Sequence, residues 1–447
     1  MQLSSISLAI TRFTGGLSYN PSSLFAAGEQ GVWYDPSDYT TMFQDSAGTT
    51  PVTAVEQPVG KILDKSGRGN HATQAISFNR PILSARYNLL TKTEQFDDAY
   101  WTVTAGSIVP NATTDPLGGN TADKLQVNTT NAAHGVGKVN VTFTPIGTSV
   151  TVSCHVKKAE LSWCIVGDGQ QLGVYFDLAN GVFGTIASGW TNPQAVSLGN
   201  GWYRISATVT SILSSGFAVY AANANNGITF AGANNTDGIY IWGASLIPVE
   251  QSALPYQRVN TATDYNTTGF NFYLKANGTN SAMSTGNIDF ASTPYMTVWT
   301  GVQKLNDTTA GCLYELSADW NTNAGTFNSF NLTSGFNAAS RGTAAVSGSS
   351  QISSISALIR TTSVLTATHD IAGSLTTLQK NNDAAVNATG SKGSGNFGLY
   401  PLYLFARAGT TFPLNINFYG LIVRGAQSTA AQITNTKTWI NGKTGAY

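Results

Sequence analysis

Val150-Thr151-Val152-Ser153-Cys154-His155-Val156-Lys157 puts Val150, Val152, Cys154 and Val156 on one side of an extended chain, with mostly polar residues on the other. A period of two marks a strand with one buried face, because successive side chains leave a pleated backbone in opposite directions. The alternation returns at 202–209, where Tyr203, Ile205, Ala207 and Val209 share a side, and at 238–243. It recurs near 300, with Met296, Val298, Thr300 and Val302 on one face. Turn pairs such as Asn180-Gly181 and Asn200-Gly201 separate neighbouring runs, and several short strands punctuated this way describe a β-sandwich or jelly roll. The stretches 399–405 and 416–423 are apolar and strand-like, and they precede a single helix signal. Ser428 is the predicted N-cap there, Ile433, Trp439 and Ile440 form a loose stripe, and Gly442 is the predicted stop. The predicted class is all-β, with β-sandwich (jelly-roll) domains and one short C-terminal helix.

Composition agrees with that class. Only 10% of residues are Asp, Glu, Lys or Arg, too few to wet the outer faces of long helices, so hydroxyls and amides must cover the surface. The 42% hydrophobic content of 447 residues is enough for two or three cores without disulfides. The 23 basic and 23 acidic residues cancel and no run of Lys or Arg occurs, so phosphate-backbone binding is not expected. Cys154, Cys164 and Cys312 have no metal spacing and read as buried thiols, while His71, His134, His155 and His369 lack carboxylate neighbours at ligand spacing. The run 3–10 is apolar only at alternate positions and has no basic residue before it, a poor match to a signal peptide, and no stretch is long enough to span a bilayer.

Three textures divide the chain. Up to about Asn88 it is dense in turns, in Trp33-Tyr34-Asp35-Pro36-Ser37-Asp38, Asp45-Ser46-Ala47-Gly48 and the run 64–73. Together with Met283-Ser284-Thr285-Gly286-Asn287-Ile288-Asp289-Phe290 and Gly420-Leu421-Ile422-Val423-Arg424-Gly425, these strings resemble the concanavalin A-like or laminin G-like jelly rolls of phage structural proteins. The middle section resembles a carbohydrate-binding-module jelly roll, through 88–96, Trp101, Ala122-Asp123-Lys124-Leu125, Gly201-Trp202-Tyr203-Arg204 and Ile241-Trp242-Gly243-Ala244. The resemblance implies that residues 89–260 form a sandwich inserted into another built from 31–88 plus 261–447, with the chain leaving near Pro81 and re-entering at 270–274. Three sequential units are the alternative. Residues 1–30 match neither fold and are expected to be an arm docking on other virion proteins, with Leu3, Ile6, Leu8 and Ile10 as its strand-adding stretch.

Both kinds of jelly roll often bind glycans, by stacking aromatic rings on sugar faces and offering amides to sugar hydroxyls. Trp202 and Trp242 sit in strand patterns and read as core, which leaves Trp190, framed by Ser188-Gly189 and Thr191-Asn192-Pro193, and then Trp163, as the predicted sugar platforms. Asp35, Asp38, Asp45 and Asp64 crowd the turn-rich first section and are a candidate calcium set, although Asp at turns is ordinary turn chemistry. Beyond calcium no cofactor is expected. For catalysis only Glu315 with Asp319, or Asp168 with Asp177, could be nominated as carboxylate pairs, and neither has a motif around it. The resemblance implies a structural and adhesion protein of the virion surface, a tail-fibre-like appendage or a head decoration, that binds host-surface glycan. The scarcity of acids, without a catalytic constellation, predicts that it is not an enzyme. The alternative is a polysaccharide depolymerase or glycosidase on the same fold. Low charge and the resemblance both point to a homo-oligomer, a trimer by analogy, with neither nucleic-acid binding nor membrane insertion.

Overall fold

The computed structural model describes residues 19–139, 149–210, 216–248, 254–343 and 352–447. Its strands form four antiparallel sheets of eight, nine, seven and six strands. They stack in pairs, because each sheet has one apolar face that must be covered.

The eight- and nine-stranded sheets share one core, in which Val32, Tyr34, Met42, Ile62 and Leu83 pack with Leu274, Val298, Leu313, Phe327, Leu402 and Val423. Strands from the first eighty-odd residues are hydrogen-bonded directly to strands from the end of the chain. Gly31–Tyr34 pairs with Asn415–Arg424 (Trp33 opposite Ile422), and Ile82–Ser84 pairs with Tyr273–Asn277 (Leu83 opposite Leu274). The six- and seven-stranded sheets, drawn from residues 102 to 248, enclose a second core of Leu125, Val152, Cys154, Val166, Phe176, Ile205, Phe217 and Ile241. Here Ser149–Lys158 lies between Trp202–Thr210 and Gly238–Pro248, and its alternate apolar residues point inward as the sequence requires. All three cysteines are buried and free.

The first sandwich carries a lid on part of its outer face. The helix Ala430–Thr444 lies over the central strands Tyr295–Lys304 and Asn415–Arg424, where Trp33, Trp299, Val364, Ile422 and Ile440 form a third apolar cluster. Gly301 makes this close approach possible, since a Cβ there would come within 2.5 Å of Thr444 Cγ2. The helix begins one residue later than the sequence reading placed it. Thr429, not Ser428, is the N-cap, and with Gln432 it forms a reciprocal capping box. Gly442 continues the helix, whereas Gly445 ends it in the left-handed conformation (φ 62°) that glycine adopts without Cβ strain.

Part of the expected N-terminal arm belongs to this sandwich. Pro21–Phe25 forms a 3-10 turn capped by Asn20, and its Leu24 and Phe25 join the cluster beneath the helix. Arg424 ties the segment down, donating from Nε to the Leu24 carbonyl at 2.8 Å and pairing with Glu29 at 2.6 Å. Leu3, Ile6, Leu8 and Ile10 lie outside the described residues.

Two side-chain amides lock the places where the chain passes between the sandwiches. Asn88 Oδ1 accepts from the backbone N–H of Leu90 and Leu246, while its Nδ2 donates to the carbonyls of Ala244 and Gln257. Gln257 Oε1 accepts from Tyr87 and Asn88 N–H, and its Nε2 donates to the carbonyls of Ala85 and Asn266. Both are fully enclosed, at 0% and 1% exposure. Six of these eight hydrogen bonds cross-link the outgoing and returning segments, and a buried network with both amides satisfied holds one arrangement.

Candidate functional site

The residues singled out in the sequence do not converge. Trp190 is not in a loop. It opens the edge strand Trp190–Gly199 with its ring in the second core, 5% exposed, and so offers no platform to a sugar. Ser188-Gly189 is a tight turn where the chain crosses from Val182–Ile186 in the seven-stranded sheet to the six-stranded sheet, and a large ring at the first strand position buries more area by turning inward. Trp163 opens the strand Trp163–Gly167 and is half-buried, its ring so near Gly184 that a Cβ there would lie 2.7 Å from Cζ3.

The four aspartates of the calcium reading are spent on separate tasks. Asp35 and Asp38 share the Lys65 ammonium at 3.1 and 2.8 Å. Asp45 accepts from the N–H groups of Gly48, Thr49 and Thr50, and the Thr49 bond heads the causes that hold its carboxyl far below the usual range. Asp64 accepts from the N–H groups of Trp33, Ser66 and Asn70. Among the described residues no group of three or more metal-ligating side chains converges.

The nominated catalytic acids are similarly engaged. Glu315 is at 0% exposure, paired with Arg407 at 2.9 Å and accepting from Trp320 N–H. Asp319, Asp168 and Asp177 each accept N–H groups of the turn that follows them. An amide at position 315 would therefore probe folding, by leaving Arg407 without its counter-ion, and would say nothing of catalysis.

What the fold does assemble is a polar cleft of about 470 Å³ on the outer face of the eight-stranded sheet, beside the helix and against the junction with the second sandwich. Its floor comes from alternate residues of four adjacent strands. On Asn415–Arg424, Ile416 and Phe418 face the core, so Asn415 and Asn417 face outward. On Tyr273–Asn277, Leu274 and Ala276 face in, and Tyr273 and Lys275 face out. Gln303 and Ser84 complete it from the strands on either side. Glu56, Arg86, Tyr87, Leu89, Ala262, Leu305 and Arg360 form the walls.

Hydrogen bonds fix the floor without exhausting it. Asn417 Nδ2 donates to Gln303 Oε1 at 2.8 Å, and Gln303 Nε2 donates to the Arg360 carbonyl and to Thr362 Oγ1. Asn417 Oδ1 and the whole Asn415 amide make no bond to a described residue, and Lys275 is exposed. The two tyrosines are 4–6% exposed, with their hydroxyls turned to backbone carbonyls, Tyr273 to Arg86 and Tyr87 to Asn271. The cleft thus presents amides and cations and offers no ring face for stacking. Arg86 and Leu89 belong to the segment that Asn88 pins, so the wall is held before any ligand arrives.

A smaller cleft, about 290 Å³, lies on the second sandwich between Glu94, Asp97, Asn111, Asp123 and Arg258. Asp123 is 2% exposed and accepts from the N–H groups of Phe96 and Asn111, while burial pushes its carboxyl up to about 6. Burial also raises Glu94, which accepts from Tyr256 Oη at 3.1 Å.

Comparison with known proteins finds no family whose sequence signature matches and no curated protein that matches. Among solved structures, the carbohydrate-binding module CBM40 of Ruminococcus gnavus IT-sialidase, bound to α2,3-sialyllactose, is similar at 12% identity with a TM-score of 0.26, over 33% of this chain and 84% of that one. Domains LG4-5 of mouse laminin α1 give 10% identity and 0.25, over 70% and 90%. The CBM22-1-CBM22-2 tandem of Paenibacillus barcinonensis Xyn10C gives 8% and 0.23, over 77% and 99%. Carbohydrate-binding modules and laminin G-like domains are thus among the neighbours, at scores too low to bear on the ligand of this chain.

Proposed function

We propose that the chain is a glycan-binding protein, carried on the outer surface of a tailed-phage particle, that holds sugar in the junction cleft and does no chemistry on it. The observation that carries the binding reading is the floor of the cleft. Asn415, Asn417 and Gln303 stand in neighbouring strands at fixed spacing, and an amide pairs with a sugar hydroxyl both as donor and as acceptor. A surface wetted mainly by amides and hydroxyls would leave many such groups scattered, but here they share a walled recess braced by the six buried hydrogen bonds that cross the junction.

The virion setting rests on the order of the sequence motifs quoted above, from Trp33-Tyr34-Asp35-Pro36 to Gly420-Leu421-Ile422-Val423. Association with further copies or other particle proteins is supported by two edge strands, Val182–Ile186 and Trp190–Gly199. They lie in a stretch, 178–203, without a single charged residue, and expose Val182, Ile186, Val196 and Leu198. Monomeric proteins commonly guard such edges with charge. The hydrolase reading keeps one observation in its favour, the Glu94, Asp97 and Asp123 cleft, against which stands the use of both Asp123 oxygens as backbone acceptors.

The test is titration of the purified chain against the surface polysaccharide of a host strain. Changing Asn415 and Asn417 together to alanine removes the floor amides, and about a tenfold loss of affinity is expected. Asn415→Ala alone, which breaks no bond to a described residue, should weaken binding with the thermal transition little changed, while the double variant also gives up the Asn417–Gln303 bond. No reducing ends should appear on prolonged incubation. Undiminished binding by the double variant overturns the cleft as the site, and sugar release that stops on Glu94→Gln installs the hydrolase in its place.

A further inference from the structure

We infer that the sugar this cleft takes is acidic, a uronate, sialate, sulfate or phosphate-bearing glycan; this rests on the cleft being the glycan site and names the class of its ligand. The inference comes from how a very small number of charges is distributed. The chain has 23 basic and 23 acidic residues in 447, balanced overall. The junction cleft nevertheless gathers three cations, Arg86, Lys275 and Arg360, against the single carboxylate of Glu56. Glu56 is held against one wall, its Oε1 accepting from Ser84 Oγ at 2.6 Å and Tyr265 Oη at 2.7 Å, and with its charge counted the lining stays net basic.

Two of them, Lys275 and Arg86, make no ion pair with a described residue. Lys275 stands on the floor two residues along the same strand from Tyr273, level with the amides. Arg86 uses Nε and Nη2 on the carbonyls of Asn88, Leu89 and Leu90. Those bonds orient the guanidinium without an acidic partner among the described residues, and Nη1 makes no bond to any of them. With Nε and Nη2 engaged, the fixed guanidinium can offer Nη1 to one oxygen of a carboxylate or sulfate, and the ammonium nearby adds charge without demanding one geometry. Neutral sugars gain nothing from these groups beyond hydrogen bonds that the amides already supply. The smaller cleft on the second sandwich has the opposite balance, three carboxylates against Arg258. The two recesses of one neutral chain are thus sorted by sign, and an acidic chain of sugars would enter the first and be repelled by the second.

The experiment uses the full chain and a panel of oligosaccharides in matched pairs, each acidic member beside its carboxyl-reduced or desulfated counterpart. Wild type, Lys275→Gln and the Asn415→Ala, Asn417→Ala double variant are titrated at low and high salt. The expected result is binding to acidic members, roughly tenfold weaker without the Lys275 charge and weaker again in high salt, while their neutral counterparts bind poorly. Equal binding of both members of each pair, indifferent to salt and to Lys275→Gln but abolished in the double variant, overturns the inference and leaves the cleft as a site for neutral sugar. Binding to any member that survives both variants, or no binding by wild type at all, removes the cleft reading and this inference with it.

Discussion

Between pH 7 and pH 4.5 the protein is expected to lose several kcal/mol of stability through two histidines, one in each sandwich. His155 packs edge-on against Trp242 and Tyr256 at 4% exposure, with Nδ1 lacking a partner, and His369 lies against Phe327 at 2% exposure with Nε2 unpartnered. Burial first, then the nearby charges of Arg204 and Lys392 respectively, lowers each imidazole to about 3. The unfolded chain binds a proton at each near 6.5, so between those values it holds more protons than the fold does. The contribution of each histidine is therefore complete above pH 6.5 and falls as the pH drops toward 3, by about 2–3 kcal/mol apiece at pH 4.5. Asp123 acts in the opposite sense, because a carboxyl raised to about 6 relieves its burial penalty as the pH falls. Isolating the histidines thus requires a difference. Denaturant midpoints of wild type and of a His155→Gln, His369→Gln double variant should be compared at the two pH values. The double variant should be much the less sensitive of the two, and parallel pH profiles would show that the imidazoles are not buried neutral.

The second large effect is expected at the junction. Changing Asn88 to alanine strips partners from the N–H groups of Leu90 and Leu246 and the carbonyls of Ala244 and Gln257, all at a site closed to water. Orphaned buried polar groups are costly where lost pairs of exposed ones are not, and the loss should be roughly 3–5 kcal/mol. Asn88→Asp separates this network from mere packing. It keeps the two acceptor bonds and the volume but faces two carbonyls with a carboxylate, so it should be at least as damaging at neutral pH. If aspartate proved benign, the hydrogen-bond network would not be what joins the sandwiches. Because Arg86 and Leu89 flank Asn88 and wall the cleft, either variant should also weaken glycan binding by loosening the recess.

Strand pattern was plain in the sequence and site pattern was not. Alternation at 150–157 placed Val150, Val152, Cys154 and Val156 correctly in a core. It did not show that Thr151, Ser153 and His155 on the other side are also buried, His155 beneath Trp242 and Tyr256, residues distant in sequence. The helix was visible through its stripe, yet its ends were misjudged by weighing single residues. The Thr429 and Gln432 pair is a stronger start signal than Ser428 alone, and a glycine ends a helix only where the backbone turns left-handed, at Gly445 and not at Gly442. Trp190 misled because a short Ser-Gly turn between strands of two sheets and a true loop look alike in one dimension.

The cleft escaped the sequence reading because its floor is drawn from Ser84, Tyr273, Lys275, Gln303, Asn415 and Asn417, spread over more than three hundred residues. Each alone is the ordinary wet side of a strand. The usable signal was local but faint: Asn415 and Asn417 bracket Ile416, and Tyr273 and Lys275 bracket Leu274, so amides and a cation stand on strands whose inner faces are core. Only strand pairing sets these short patterns side by side, and pairing across some two hundred residues leaves no trace in periodicity.

The measurement that bears most directly on the cleft as a glycan site is a structure of the chain with a bound oligosaccharide from its host's surface polysaccharide. The sugar should lie over Asn415 and Asn417, within hydrogen-bond reach of Gln303 or Lys275, with the segment 85–90 unmoved. Sugar seated against Trp163, in the Glu94 and Asp123 recess, or anywhere else on the second sandwich, with the junction cleft empty, would contradict it.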